Sequence, residues 1–127
     1  MKSWRFRFMG FMVLLVGVTL CQPCPGGAQA GAPSSGKPAL YEFGAGYCVS
    51  CKEMAKIMDE LKGQYGDQFE VRMVYADKEK DLFKEYKIML IPTQVFLDAA
   101  GKEVDRHIGA LSKEEVIRKL KELKFIR

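Results

Sequence analysis

The sequence has few of the residues on which several common kinds of active site depend. Its only histidine is His107, and its only tryptophan is Trp4. It contains no glycine-rich nucleotide loop, no zinc-protease motif and no serine-triad pattern. These absences exclude the enzyme classes built on those motifs and direct attention to the cysteines.

Acidic residues are absent from the first third of the 127-residue chain, since none precedes Glu42. Leaving out residues 1–30 removes three of the 20 basic residues and none of the 16 acidic ones, so the formal net charge falls from +4 to +1. The positive charge is therefore an N-terminal feature and does not predict nucleic-acid binding. Hydrophobic residues make up 48% of the chain, which excludes a disordered protein.

The N-terminus lacks an apolar run of the length that a membrane-spanning helix needs, about 20 residues. Residues 8–20 are apolar or glycine except for Thr19, which fits the roughly 7–15 apolar residues of a secretory signal after a basic start. The Ala-Gln-Ala at residues 28–30 is typical of a signal-peptidase site. We predict a signal peptide over residues 1–30, cleavage after Ala30, and a flexible tether over residues 31–37.

Two alternatives to cleavage stay open. Cys21 could be a lipoprotein acylation site, although Leu20 stands where such a site usually has a small residue. The apolar run could also remain as an uncleaved membrane anchor. All three interpretations place the folded domain outside the cytoplasm, so we expect a periplasmic or other extracytoplasmic protein.

Residues 38–127 alternate strand and helix patterns and have the length of one domain. The predicted order β-α-β-α-β-β-α indicates an α/β fold with a four-stranded mixed sheet flanked by helices. Asp77 is predicted to cap the second helix, and Ser112 with Glu115 forms a capping box for the third. The predicted strands cover residues 39–43, 69–76, 93–97 and 103–108, and the helices cover residues 49–65, 77–86 and 112–123.

The four cysteines form two CxxC pairs, Cys21/Cys24 and Cys48/Cys51. The second pair follows a predicted strand and opens a predicted helix, where the helix dipole and the unpaired backbone N–H groups stabilise a thiolate. Cys48 would attack a substrate disulfide, and Cys51 would resolve the mixed disulfide. Two electrons would then pass without a metal or an organic cofactor.

Two other uses of these cysteines remain. A purely structural disulfide is one, although a CxxC loop is too short to stabilise a fold by much. A zinc site built from all four cysteines has the right number of ligands. Cleavage after Ala30 would remove half of those ligands, and so redox chemistry is favoured.

Four short motifs together resemble the thioredoxin family. They are Tyr-Glu-Phe at residues 41–43, Tyr-Cys-Val-Ser-Cys-Lys at 47–52, Ile-Pro-Thr at 91–93 and Gly-Ala-Leu-Ser at 109–112. The resemblance runs from about Pro38 to Leu123 and implies the thioredoxin fold in a minimal form. The Cys-Val-Ser-Cys-Lys-Glu of residues 48–53 and the Phe-Leu-Asp at 96–98 with Gly-Lys at 101–102 are more similar to the thioredoxin-like C-terminal domains of exported thiol:disulfide interchange proteins.

The resemblance implies catalytic roles for three residues. Cys48 corresponds to the nucleophile of the family and Cys51 to its resolving cysteine. Glu42 falls where the family has a buried acid beneath the active site, which could take and return the proton of the resolving cysteine. A strand-end glutamate that points to solvent is the alternative for Glu42.

The resemblance implies substrate binding by four further residues. Pro92 corresponds to the cis-proline that faces the CxxC, and Ile91 before it offers its backbone to a bound substrate strand. Gly109 corresponds to a glycine that lines the substrate groove, and Tyr47 replaces a tryptophan beside the first cysteine. The residues alone are equally compatible with a trans Pro92 on an edge strand.

The sequence departs from the family pattern at several positions. Gly44 stands where thioredoxin has a second tryptophan, and Val-Ser at residues 49–50 replaces Gly-Pro. Met73 falls near the lysine that pairs with the buried acid, and Lys56 replaces a helix-kinking proline. These changes leave the redox potential and the tuning of Glu42 open.

Two other groups of residues are assigned no role in catalysis. His107 is expected to be exposed on the polar face of the last strand. Four methionines are expected to fill the core and not to bind a metal, namely Met54, Met58, Met73 and Met89.

The function predicted from the sequence is that of an exported thiol:disulfide oxidoreductase that reduces protein disulfides. We expect disulfide-containing exported proteins as substrates, an upstream membrane or soluble thiol as electron donor, no nucleic acid, and a monomer. The alternatives are a non-catalytic module that binds partner proteins and a dedicated oxidant of exported proteins.

Overall fold

The computed structural model of the protein describes Pro33 and residues 35–127. The predicted signal peptide over residues 1–30, its cleavage site and the cysteines Cys21 and Cys24 lie outside the described residues, as does part of the predicted tether. No helix in the described part of the chain is long and apolar enough to cross a membrane.

The described residues form four strands and three helices in the predicted order. These elements are β1 (Ala39–Gly44), α1 (Val49–Tyr65), β2 (Glu70–Tyr75), α2 (Lys80–Glu85), β3 (Thr93–Leu97), β4 (Glu103–Ile108) and α3 (Lys113–Glu122). The strands form one sheet in the order β2-β1-β3-β4. The predicted α/β class and four-stranded mixed sheet are therefore confirmed.

Strand β1 is an inner strand that connects the parallel and antiparallel parts of the sheet. It runs parallel to β2, through the crossover helix α1, and antiparallel to β3. Its Glu42 lies opposite Met73 on one side and Gln94 on the other. Strands β3 and β4 form an antiparallel hairpin whose turn ends at Gly101, where a φ of 82° favours glycine.

The two faces of β1 serve two separate apolar cores, because successive side chains of a strand point to opposite faces. Leu40 packs with residues of α1 and α3, whereas Tyr41 and Phe43 pack with residues of α2. All six residues of β1 are buried. Glu42 shares a face with Leu40, so its carboxyl lies on the side that α1 and α3 cover.

Helix α2 begins later than predicted and without the predicted cap. Residues 76–78 form a turn in which the N–H groups of Lys78 and Glu79 both donate to the carbonyl of Tyr75, over 3.0 and 2.9 Å. The chain is thus still turning away from β2 at Asp77. The helix starts after Glu79, whose side chain makes no capping hydrogen bond. The prediction that Asp77 caps this helix is wrong, whereas the capping box of Ser112 in front of α3 is confirmed.

Three of the four methionines predicted for the core are confirmed there, and one is not. Met54 and Met58 have no exposed surface, and Met73 packs against the same core. Met89 is 89% exposed because it lies in the loop between α2 and β3, after the left-handed backbone of Lys87 has turned the chain. The prediction is wrong for Met89.

Gly44 is the point at which the end of β1 meets the start of α1. A Cβ atom on Gly44 would lie 3.1 Å from Cβ and 3.3 Å from Sγ of Cys51. Ordinary contacts of this kind begin at about 3.4 Å. The close approach of the helix to the strand therefore depends on the missing side chain of Gly44.

Gly44→Ala is expected to lower the free energy of unfolding of the oxidised protein by about 1 kcal/mol, because the added methyl group overpacks this junction. Gly46→Ala is the matched control, since nothing lies within 4 Å of a Cβ atom at Gly46. The control is expected to change the free energy by less than about 0.5 kcal/mol. Urea denaturation followed by circular dichroism measures both, and equal effects would contradict the close packing at Gly44.

Candidate active site

A short loop leads from β1 into α1 and sets the position of Cys48. The N–H of Cys48 donates to the carbonyl of Ala45 over 3.1 Å and closes the turn through Gly46 and Tyr47. Cys48 has an extended backbone and is the N-cap of α1, which begins at Val49. The first cysteine therefore stands at the positive end of the helix dipole, as the sequence predicts.

Cys48 and Cys51 form a disulfide, with their Cα atoms 5.2 Å apart. Cys51 is only 3% exposed, whereas Cys48 is half-buried. A sulfur atom of another protein can therefore reach Cys48 far more easily than Cys51. The alternative of a four-cysteine zinc site involves Cys21 and Cys24, which lie outside the described residues.

Two hydrogen-bonding groups lie beside the sulfur of Cys48. The N–H of Cys51 donates to this sulfur over 3.3 Å, and the hydroxyl oxygen of Ser50 lies 3.4 Å from it. No acidic residue occupies the first turn of α1. Partial positive charge without an opposing carboxylate stabilises a thiolate at Cys48. Ser50 is not among the predicted site residues, although its place two residues after Cys48 brings its hydroxyl within reach of that sulfur.

Glu42 is fully buried in β1, which excludes the alternative of a solvent-exposed strand end. It lies on the same face of the sheet as Gly44, two residues or about 7 Å along the strand. Gly44 is the residue that meets Cys51. The carboxyl of Glu42 is therefore on the side of the sheet on which the buried cysteine packs.

Gln94 is the hydrogen-bond partner of Glu42. Its Nε2 donates to Oε2 of Glu42 over 2.8 Å, and neither residue has exposed surface. Within the described part of the chain, Oε1 of Glu42 and Oε1 of Gln94 are buried without a hydrogen-bond partner. Burial raises the pKa of Glu42 to about 8, and the hydrogen bond from Gln94 offsets only part of that rise.

The sequence gives a partial signal for Gln94, which is not among the predicted site residues. All five residues of β3 are buried, and Gln94 is a polar residue among them. A polar side chain in a fully buried strand is expected to have a hydrogen-bond partner. The identity of that partner depends on the register of β1 with β3, which places Gln94 opposite Glu42.

The predicted substrate-binding residues Ile91 and Pro92 come directly before β3. Their peptide bond is cis, as the family resemblance implies. Thr93, the first residue of β3, lies opposite Phe43 near the end of β1, and its hydroxyl donates to the carbonyl of Leu90 over 2.7 Å. The register of the two strands therefore places this loop at the same end of the sheet as the disulfide.

Gly109 and Tyr47 lie at this end of the sheet as well. The N–H of Gly109 donates to the carbonyl of Pro92 over 2.8 Å, and a φ of 109° at Gly109 favours glycine. Tyr47 directly precedes Cys48 and is 81% exposed. Three further apolar side chains are exposed in the two neighbouring segments, namely Val49, Met89 and Leu90.

His107 is half-buried, so the prediction of an exposed histidine is wrong. It lies opposite Gln94 in the pairing of β3 with β4 and therefore shares the face that α3 covers. An ion pair between Asp105 and Lys119 of α3 allows the helix to cover this polar face of β4. The polar alternation in the sequence identifies the face correctly but does not show which helix lies over it.

Replacing the buried acid is expected to change how stability depends on pH. Between about pH 4.5 and pH 8 the folded protein holds a proton on Glu42 that the unfolded chain releases, so stability falls as the pH rises through this range. Glu42→Gln removes this dependence and is expected to raise the free energy of unfolding at pH 7 by about 3 kcal/mol.

Urea denaturation of the oxidised protein at several pH values between 5 and 8.5 measures this change. Glu122→Gln is the matched control, because Glu122 is exposed at the end of α3. In this control, the free energy of unfolding should depend on pH as it does in the parent protein. A Glu42→Gln variant with the same slope as the parent would contradict the raised pKa.

Comparison with known proteins gives matches along most of the chain. The thioredoxin family model matches residues 31–122. Thioredoxin 2 of Chlorobaculum tepidum is 33% identical over 94 residues, which are 74% of this chain and 85% of that protein. A homologue of the thiol:disulfide interchange protein TxlA from Synechocystis sp. is 34% identical over 105 residues, which are 80% of this chain but 58% of that protein.

The solved structures agree with the sequence relatives on the fold. Thioredoxin-2, a component of the protein secretion machinery of the malaria parasite, matches with a TM-score of 0.64 and 23% identity. The match covers 68% of this chain and 82% of that one. The predicted thioredoxin fold is thus confirmed, and with its Cys48–Cys51 pair the chain belongs to the thioredoxin family of thiol:disulfide oxidoreductases.

Proposed function

We propose that the protein is an exported thiol:disulfide oxidoreductase that reduces disulfides in other exported proteins. One observation carries the chemistry: an accessible sulfur at the N-cap of α1 is paired with a buried sulfur one turn along the helix. The accessible sulfur can meet a substrate, and the buried one can act only on its neighbour. This division of roles is what dithiol–disulfide exchange requires.

In the first step the thiolate of Cys48 attacks one sulfur of a substrate disulfide. The bond from Cys48 to the substrate forms while the substrate's own S–S bond breaks, and the released sulfur takes a proton from water. The N–H of Cys51 and the hydroxyl of Ser50 stabilise the attacking thiolate. The product is a mixed disulfide.

In the second step the thiol of Cys51 gives its proton to the carboxylate of Glu42, directly or through one water, and attacks the sulfur of Cys48. The disulfide between the two cysteines forms, and the second substrate sulfur leaves and takes a proton from water. Burial raises the pKa of Glu42 to about 8, near the value of about 8.5 for an ordinary thiol. A carboxylate whose pKa is raised toward that of a thiol is a stronger base than an ordinary carboxylate, so it accepts the proton of Cys51 at a lower cost in free energy.

Substrate is proposed to bind at the end of the sheet that carries the disulfide. Ile91 precedes the hydrogen-bonded part of β3, so its backbone groups are available to an extended substrate segment. Tyr47 supplies exposed apolar surface beside Cys48, and Gly109 adds no side chain that would obstruct a bound segment. An upstream membrane or soluble thiol would restore the dithiol, and no metal or organic cofactor is needed.

Two observations favour reduction over oxidation as the direction of the reaction. An isoleucine precedes the cis-proline, and one relative is named as a homologue of a thiol:disulfide interchange protein. Export is proposed from the basic start, the apolar run and the Ala-Gln-Ala of residues 1–30.

Oxidoreductase activity is tested with a fragment of residues 31–127 and insulin as the disulfide substrate, with dithiothreitol as the electron donor. Cys48→Ser is expected to reduce the rate to that of dithiothreitol alone, because the attacking sulfur is lost. In a separate incubation of the reduced variant with insulin and without dithiothreitol, Cys51→Ser is expected to accumulate mixed disulfides, which dithiothreitol then releases. Normal turnover by Cys48→Ser would contradict the mechanism, and the absence of any mixed disulfide with Cys51→Ser would favour a non-catalytic binding module.

The direction is tested by equilibrating the cysteine pair with glutathione. A reductant is expected to have a potential near that of thioredoxin, about −270 mV, whereas a value near about −120 mV would indicate an oxidant.

Export is tested by fusing residues 1–30 to an alkaline phosphatase that becomes active only outside the cytoplasm. We expect activity from this fusion and none after Leu14→Arg and Leu15→Arg together, because two charges interrupt the apolar run. Equal activity of the two fusions would contradict a signal in these residues.

A further inference from the structure

We propose that Gln94 is a positioning residue that holds one oxygen of the Glu42 carboxyl and leaves the other free to exchange a proton with Cys51. This inference rests on the proposed role of Glu42 as the proton acceptor. It assigns to an uncharged side chain on a neighbouring strand the control of both the orientation and the charge of that acid.

The first support is the geometry of the pair. Gln94 and Glu42 lie directly opposite each other on antiparallel strands, and the amide donates to Oε2 over 2.8 Å. Oε1 of Glu42 remains buried without a partner in the described part of the chain. One carboxyl oxygen is therefore fixed and the other is available, which is the arrangement that a proton acceptor needs.

The second support is the character of the surrounding face. Leu40 and Phe96, which flank the pair on the same face, are apolar and fully buried. An apolar residue at position 94 would satisfy the packing without burying an amide, and the amide Oε1 of Gln94 itself lacks a partner in the described residues. Burial of an incompletely satisfied amide is unfavourable, so Gln94 is poorly explained by packing alone.

The third support is the scarcity of charge around Glu42. Across β2 the neighbour is the apolar Met73. From α1, Cys51 packs at Gly44, two residues from Glu42 on the same face of the sheet. On the far side of Gln94, β4 contributes His107. Farther along β4, an ion pair joins Asp105 to Lys119 of α3. Gln94 is the one hydrogen-bond donor that Glu42 has among the described side chains, so it is the group that stabilises the carboxylate.

The consequence concerns the second step of the reaction. The carboxylate of Glu42 must accept the thiol proton of Cys51 before Cys51 attacks the mixed disulfide. A donor that stabilises the carboxylate increases the fraction of Glu42 that is ready to accept the proton at neutral pH. Without that donor, the acid stays protonated to higher pH and resolution slows.

The test uses Gln94→Met, which keeps a side chain of similar length without the amide. In the oxidised protein the titration of the Glu42 carboxyl carbon is followed by NMR, and the midpoint is expected to move upward by about one pH unit. In single-turnover measurements, resolution of the mixed disulfide at pH 7 is expected to slow about tenfold, and the alkaline shift of its pH profile should match the NMR shift. The rate of first attack by Cys48 should stay unchanged.

Three controls separate this role from a structural one. Phe96→Leu alters the same strand and face but keeps the hydrogen bond from Gln94 to Glu42, so it should leave the pH profile in place. His107→Gln should also leave the midpoint of the Glu42 titration unchanged. That result would show that the midpoint belongs to Glu42 and does not depend on His107. In a Glu42→Gln background, Gln94→Met should have no further effect on the pH profile.

An unchanged Glu42 midpoint in Gln94→Met would overturn the inference about Gln94. An unchanged rate of resolution in Glu42→Gln would instead overturn the proposed role of Glu42, so the two failures are distinguishable. Gln94→Leu gives the same test if the methionine variant does not fold, as judged by circular dichroism.

Discussion

The burial of β1 on both faces is the constraint on which the rest of the site depends. Six consecutive residues of this strand are buried, and they are held between β2 and β3. Such a strand cannot move without disturbing both cores, so its end at Gly44 is a fixed point from which the cysteine loop starts. The same strand carries Glu42 inward. Strand β1 thus fixes the positions of both the start of α1 and the side chain of Glu42.

From this fixed start, two sulfurs three residues apart acquire different environments. Both sulfurs lie at the start of α1, yet Cys48 is accessible and Cys51 is closed off against Gly44. The helix terminus stabilises negative charge at the outer sulfur, and the apolar interior disfavours charge at the inner one. The inner sulfur therefore needs an acceptor for its proton. Among the described residues, Glu42 is the buried acid on that face of the sheet, and it is the acceptor that we propose.

Local patterns in the sequence were sufficient to predict the helices and strands. They were not sufficient to predict which residues pair across neighbouring strands. The apolar spacing of α1 predicted the limits at Val49 and Tyr65, and the capping box predicted the start of α3. The family motifs led to the buried position of Glu42, which periodicity alone left open. The partnership of Gln94 with Glu42 is set by strand register, and the cover over His107 by the packing of α3. Contacts of this kind, between residues far apart in the chain, cannot be predicted from local sequence patterns.

The pairing of Glu42 with a neutral amide fits a balance between stability and reactivity. A buried acid with a cation beside it would lose its proton at a lower pH, and its carboxylate would be a weaker acceptor for a thiol proton. A buried acid without any donor would hold its proton well above neutral pH. An amide lies between these limits, because it stabilises the carboxylate without neutralising it. The cost is a fold that loses stability as the pH rises, since the interior retains an acid whose ionised form it accommodates poorly. A fold commonly loses some stability when it keeps a functional side chain in a reactive state.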